Sequence, residues 1–286
     1  HADFGGEVER VMSMVDSVLL LVDAVDGPMP QTRFVTQKAF AAGLCPIVVV
    51  NKIDRPGSRP DWVIDQIFDL FDNLGATDEQ LDFPIIYASA LNGIAGREPD
   101  DMDENMDYLF ESVVENVSAP DVNVDGPFQM QVSSLDYSSY LGVIGVGRIT
   151  RGTAKLNMVV RVVDANGEER NGKIQKIMGY MGLDRVEVEE ASAGDIVCIT
   201  GIDGLNISDT VCSPEQVEAL PALSVDEPTV SMMFQVNTSP FAGKEGKYVT
   251  SRNIRDRLDK ELIHNVALRV EDTDSPDKLR VSGRGE

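Results

Sequence analysis

Little in this chain speaks for a membrane or an oxidising compartment. Its 286 residues include three cysteines, two histidines and one tryptophan, and no apolar run approaches the roughly 18 residues of a spanning helix. Cys45, Cys198 and Cys212 are odd in number and lack CxxC spacing, and two of them lie in apolar strand-like runs. That is the pattern of buried free thiols in a reducing compartment rather than of a disulfide framework or a metal site. A soluble, cytoplasmic protein is expected, with no membrane partner and no metal site of its own. An initiator methionine is also lacking: the chain opens on His1 without a basic, apolar, small-residue leader, as a fragment would.

Positive charge is scarce too. Lys and Arg number 25 against 48 Asp and Glu, for a net charge of -23, which argues against a DNA-binding surface. The deficit is uneven. Residues 1–120 carry 7 basic and 22 acidic side chains, 121–219 carry 8 and 15, and 220–286 carry 10 and 11. The nearly neutral last segment gathers its cations in Lys244, Lys247, Arg252, Arg255, Arg257 and Lys260, on and just before a helix-like stretch. If RNA is touched, Lys244, Lys247, Arg252 and Arg255 are the candidates, the bland alternative being a solvated helix face.

The length suits two or three domains, and 42% hydrophobic with 26% charged residues is ordinary globular composition. In residues 1–120 the short apolar runs Val18–Val22, Ile47–Val50 and Ile85–Ala88 alternate with Pro30–Ala42 and Asp61–Leu74, whose apolar spacing is helical. This predicts a doubly wound α/β domain with strands buried on both faces, and Trp62, Ile67, Phe68 and Phe71 in its core. Residues 121–221 change to short strands punctuated by Gly, Asn and Asp. Ala165-Asn166-Gly167 is a hairpin signal between Val159–Val163 and the Lys173–Met178 run, and an antiparallel β-barrel follows. Residues 222–286 read as strand (Thr229–Val236), helix (Ser251–Asn265), strand (Val266–Glu271) and a further strand near Leu279, a partial α+β domain.

Asn51-Lys52-Ile53-Asp54 directly follows the run Ile47–Val50, and ligands of open parallel sheets bind at the carboxyl ends of strands. A carboxylate at Asp54 accepts hydrogen bonds from N1-H and the 2-amino group of guanine, donors that adenine lacks. A site built on such bonds rejects the wrong partner by roughly 10⁴ or more. The Lys52 stem suits the base plane, and Asn51 suits a tie between neighbouring loops. As a tetrapeptide this is a weak motif. Its weight comes from Ser89-Ala90-Leu91, which follows the next apolar run and resembles the loop whose backbone N–H reads the guanine 6-oxo group in the GTPase superfamily. His264 closes an apolar-periodic helix and reads as a packed or capping residue.

Over essentially its whole length the chain resembles the TypA/BipA family of translational GTPases. HADFGGEVERVMSMVD, NKIDRPGSRPDWV, FPIIYASALNGIAG, DGPFQMQVSSLDY, GLNISDTVC, NTSPFAGKEGKYVTSR and VSGRGE carry the resemblance. It implies a truncated P-loop-type G domain, a translation-factor β-barrel and a partial ferredoxin-like domain. It also implies GTP or GDP with Mg2+ as ligands of the intact protein, His1 as the residue that orients the attacking water, and the ribosome, its RNA and proteins, as partner. Roles in ribosome assembly and in stress or virulence adaptation belong to the same implication. The departures are specific. No GxxxxGK[ST] occurs; Gly243 and Gly246 are too close together, although Gly246-Lys247 ends like one. The chain is therefore expected to hold no nucleotide by itself, to hydrolyse no GTP, and to leave an edge of its parallel sheet open. Two other readings remain: an RNA- or ribosome-docking module without nucleotide chemistry, and another translation factor such as LepA.

Overall fold

The computed structural model describes residues 5–138, 140–223, 228, 230–237, 239–240, 248, 250–264, 268–275 and 277–283. The chain divides into two units. One is residues 15–120; the other comprises the opening helix α1 (Gly5–Met12) and the described residues from 121 onward.

In the first unit, β1 (Val18–Asp23), α2 (Pro30–Ala41), β2 (Pro46–Asn51), α3 (Pro60–Asn73), α4 (Asp78–Leu81), β3 (Ile85–Ser89), β4 (Ile94–Glu98), β5 (Asp101–Met102) and α5 (Asp107–Asn116) follow in order. The sheet runs β1-β2-β3-β4-β5. Its first three strands are parallel, and β4 and β5 return antiparallel. The sequence reading did not foresee β4 and β5, whose short stretches carry no apolar alternation. Both longer helices begin where expected, with Pro at the first turn, where its missing N–H costs nothing. A Schellman motif stops α3: Gly75 takes φ +72 and donates to Asp72 O, while Ala76 donates to Phe71 O.

Two apolar layers cover the sheet. Leu20, Val22, Val48 and Val50 pack against Val63, Ile67, Leu70 and Phe71 of α3, while Ile47, Val49, Ile86 and Ala88 meet Leu109 and Val113 of α5. Phe71 is fully buried between Phe40 and Phe83, with ring centroids at 5.0 and 4.9 Å in edge-on geometry. Trp62 and Ile67 belong to the same layer, but Phe68 is 42% exposed at its margin. One face of β1 also departs from the expectation of two buried sides. Leu19 and Leu21, in register with Ile47 and Val49, are 43% and 60% exposed, and β1 is the edge strand of the sheet.

The second unit contains β6 (Gln129–Gln131), β7 (Ser134–Ser138), β8 (Gly142–Arg151), β9 (Thr153–Lys155), β10 (Val159–Val163), β11 (Glu169–Lys173), β12 (Lys176–Met181), β13 (Asp184–Val188), β14 (Glu190–Ser192), β15 (Ile196–Thr200) and β16 (Thr210–Cys212). Nine of these form one antiparallel sheet, whose larger core includes Phe128, Met130, Ile149, Val160, Ile174 and Ile199 and whose smaller one gathers Ile144, Val146, Met178 and Cys198. The turn at Ala165-Asn166-Gly167 is present: Asp164 Oδ1 accepts from Asn166 N at 2.8 Å and Glu168 N at 2.9 Å. Its return strand, however, is the polar Glu169–Lys173, not Lys173–Met178. As the last strand of its sheet β11 alternates exposed and half-buried residues, so it carried no apolar signal. Cys198 and Cys212 are buried free thiols as expected, whereas Cys45 is exposed. Burial pushes the Cys212 thiol up.

The same unit ends in β17 (Val230–Gln235), α6 (Ser251–His264), β18 (Arg269–Asp272) and β19 (Lys278–Gly283), with antiparallel order β17-β19-β18. This is the expected β-α-β-β sequence; Thr229, Asn265 and Val266 lie outside the described residues, as does the side chain of His264. Among the described residues no helix is long and apolar enough to cross a membrane.

Phe71→Ala should cost about 3–5 kcal/mol, because the ring is fully enclosed and its neighbours are themselves wedged between sheet and helix. Urea unfolding followed by the fluorescence of Trp62 reports on this unit. A loss below about 1 kcal/mol would show that the aromatic cluster does not organise the core.

Candidate functional site

Parallel register brings three strand ends together in the first unit. Asp23 lies opposite Asn51, and Asn51 opposite Ala88. Backbone bonds extend the ladder past the strands, from Ala24 N to Asn51 O at 2.8 Å and from Ile53 N to Ala88 O at 3.3 Å. The loops after β1, β2 and β3 thus leave the same edge of the sheet side by side.

Asn51 joins two of these loops. Its Oδ1 accepts from Lys52 N at 2.8 Å and from Ala90 N at 3.0 Å. A second tie runs the other way: Ser89, fully buried, donates its hydroxyl to Asp54 Oδ1 at 2.5 Å, leaving the second carboxylate oxygen outside that bond. Ser89 O also closes the following turn by accepting from Asn92 N at 3.1 Å. Ala90 is exposed and Leu91 is 88% exposed, so the backbone of this turn faces solvent. The structure therefore gathers Asn51, Lys52, Asp54, Ser89, Ala90 and Leu91 in one place.

Sequence reasoning missed the third loop. Lys52 adopts φ +67, a left-handed conformation unusual for a lysine. Its ammonium donates to Asp23 Oδ2 at 2.7 Å, and Arg55 Nη1 reaches the same oxygen at 3.3 Å. Asp23 Oδ1 accepts from Val25 N at 2.8 Å and Asp26 N at 3.3 Å. Burial by itself would raise the pKa of Asp23. The Lys52 ammonium and the two amides outweigh that, and the carboxyl falls from the ordinary 3.8 to about 2. Further along, Arg59 N donates to Ala24 O at 3.0 Å, Arg59 Nη2 to Val25 O at 3.2 Å, and the guanidinium stacks 3.6 Å from the Trp62 ring centroid. Gly27, at φ +71, lies against that ring; a Cβ there would come within 2.9 Å of it. Asp23 was legible in one respect, since it ends an apolar run just as Asn51 does.

The other candidates are not gathered here. His1, Lys244 and Lys247 lie outside the described residues, as do Gly243 and Gly246. Arg252 and Arg255 lie on α6 in the other unit, where Arg255 pairs with Asp272 and, at 3.1 Å, with Asp259. Arg257 of the same helix pairs with Glu261, so much of its positive charge is neutralised locally. An RNA phosphate at Arg255 would compete with two carboxylates. Among the described residues no three His, Cys, Asp or Glu side chains form a metal-ligand set. An open cleft of about 640 Å³ lies elsewhere, in the second unit beside Tyr180, Val188, Glu190 and Asp195. Its carboxylates already have partners, Glu190 with Lys155 and Asp195 with Ser192 N, so the cleft offers a ligand little that the strand-end loops do not offer better.

Two family models match. Residues 1–119 match the elongation factor Tu GTP binding domain, and residues 142–212 match elongation factor Tu domain 2. The full chain is 71% identical to the large ribosomal subunit assembly factor BipA of Escherichia coli strain K12, of which it covers 47%. It is 70% identical to the protein of that name from Salmonella typhimurium, covering 47%, and 68% identical to that from Haemophilus influenzae, covering 46%. The chain thus spans about half the length of the curated relatives it matches.

The Asp23 carboxyl has a folded pKa below its unfolded value, so its contribution to stability is complete above the unfolded pKa and is lost as pH falls through about 2. The shift corresponds to roughly 2 kcal/mol. Unfolding free energies of the wild type and Asp23→Asn, measured by denaturant titration, should therefore converge between about pH 4 and pH 2. Parallel curves over that range would mean that the carboxylate is not held by these partners.

Proposed function

We propose that this chain, whose residues 1–119 and 142–212 match the elongation factor Tu GTP binding domain and domain 2, belongs to the translation-factor GTPases and carries the guanine-reading part of a ribosome-associated one. The observation that carries the reading is the pair of reciprocal ties between the loops after β2 and β3: Asn51 Oδ1 to Ala90 N, and Ser89 Oγ to Asp54 Oδ1. They set a carboxylate and a solvent-facing turn side by side at the carboxyl edge of a parallel sheet. Asp54 would accept from guanine N1-H and the 2-amino group, the amide of Leu91, next to the Ala90 amide that Asn51 holds, would meet the 6-oxo group, and the Lys52 stem would underlie the base. The relatives are named as assembly factors of the large ribosomal subunit, and the proposed partner is accordingly the ribosome, through its RNA or proteins. Roles in stress or virulence adaptation belong to the same reading. His1 would position the attacking water in the intact protein.

Base recognition binds the substrate and the transition state about equally, so it contributes affinity and not rate. Phosphoryl transfer depends on a phosphate-cradling loop, its lysine and a magnesium ion, and the sequence contains no GxxxxGK[ST]. The phosphate- and magnesium-binding part of hydrolysis by the intact protein is thus assigned to residues beyond those of this chain, working with His1 and the base site described here.

Two measurements follow. In the full-length protein, Asp54→Asn replaces an acceptor with an amide donor that suits the 2-oxo group of xanthine, so competition binding should show the preference moving from GTP toward XTP by about 100-fold or more. Retention of the wild-type ratio would remove Asp54 from the base. For the 286-residue chain alone, phosphate release from GTP should stay at background with and without ribosomes; ribosome-stimulated turnover, free of contaminating factor, would overturn the assignment of rate to residues outside it.

A further inference from the structure

We infer that Asp23 is the positioning residue of the base site, gripping the Lys52 ammonium with one carboxylate oxygen while the other organises the loop after β1. The inference rests on the guanine-site reading above and assigns a role to a residue that reading does not use. Three observations carry it. The first is a division of labour within one side chain. Oδ1 serves the loop, accepting from Val25 N at 2.8 Å and Asp26 N at 3.3 Å, and Oδ2 serves the cations, Lys52 Nζ at 2.7 Å and Arg55 Nη1 at 3.3 Å. The second is burial: the Asp23 side chain is 14% exposed, so it is less screened by solvent than a surface ion pair.

The third observation is the backbone of Lys52. At φ +67 its side chain leaves the loop in a direction that ordinary extended or helical backbone would not give, and the ion pair with Asp23 fixes the far end of that side chain one strand away. A lysine held at both ends has a defined stem. A lysine held only by its backbone samples many rotamers and must be ordered again when a base arrives, at a cost in affinity. Arg55 completes the arrangement, its Nη1 reaching the same Asp23 Oδ2 at 3.3 Å. In this way the loop after β1, which sequence motifs for base recognition leave out, sets the floor of the site.

An aspartate that merely shapes its own turn would show the same Oδ1 bonds, and Asp23→Asn separates the two roles. Asparagine retains an oxygen for Val25 N and Asp26 N but presents an amide, unable to accept, to Lys52. In the full-length protein, the affinity for a fluorescent GDP analogue is measured for the wild type, Asp23→Asn, Lys52→Met and the double variant, with melting temperatures alongside. Asp23→Asn should weaken binding by about 10-fold, and the double variant should bind within about twofold of Lys52→Met, because the second change removes what the first has already released. Asp23→Glu, which keeps the charge on a longer arm, should recover most of the affinity; if Asp23→Asn fails to fold, Lys52→Met alone, which keeps an unbranched stem but loses the ammonium that Asp23 grips, should show the same loss of about 10-fold. Losses that multiply in the double variant, or an Asp23→Asn protein that binds within twofold of wild type, would overturn the positioning role. Asp54→Asn, run in parallel against XDP, separates the two levels. If its base preference does not move, the guanine-site reading falls and this inference with it. If it moves while the Asp23 and Lys52 effects multiply, only the positioning role falls.

Discussion

Everything at the candidate site follows from the parallel register of three neighbouring strands. Because β1, β2 and β3 run the same way and are aligned so that Asp23, Asn51 and Ala88 stand abreast, their loops emerge together. A one-residue slip in β2 would turn its alternate side chains to the opposite face. Val48 and Val50 would then lose the α3 layer, and Asn51 would lose Ala90 N. The apolar packing that fixes the register is thus also what aims the polar groups. Core and site are coupled through the alternation of the strand.

The loops after β2 and β3 reach one another without long side chains. Asn51 and Ser89 are short, and each bonds a loop one strand away, so little rotamer entropy is lost in holding the arrangement. The long side chains, Lys52, Arg55 and Arg59, all turn toward the loop after β1. Three cations meet there a segment that contributes a carboxylate and a backbone carbonyl. In a chain with a net charge of -23, two cations on the one acidic residue Asp23, with a third beside it, stand out from their surroundings.

Much of this was legible in advance, for physical reasons. The period-3.6 stretches became α2 and α3 within a residue or so at each end, since proline starts and a glycine stop are local signals. The motif residues were found because each follows a buried apolar run, and a parallel sheet puts such positions together. What escaped were features without a local signature. β4, β5 and β11 are strands through pairing alone, with short or polar sequences. The exposed face of β1 could not be read from Val18–Val22, because a run of apolar residues does not say how many of its sides find a neighbour. Asp23 was missed for a related reason: its importance lies in Lys52 on the neighbouring loop, at a sequence separation of 29. The pairing of Arg255 with Asp272 likewise depends on strand β18 lying near α6, and no count of cations along the helix contains it.

The left-handed backbone of Lys52 sets stability against purpose at a single position. Glycine would adopt φ +67 without strain, and relief of that kind is worth on the order of 1 kcal/mol. Lys52→Gly would relieve that strain and at the same time discard the ammonium that Asp23 holds, and with it an ion pair that itself stabilises the fold. What glycine adds to the backbone it takes from the charge pair, and from the base loop as well.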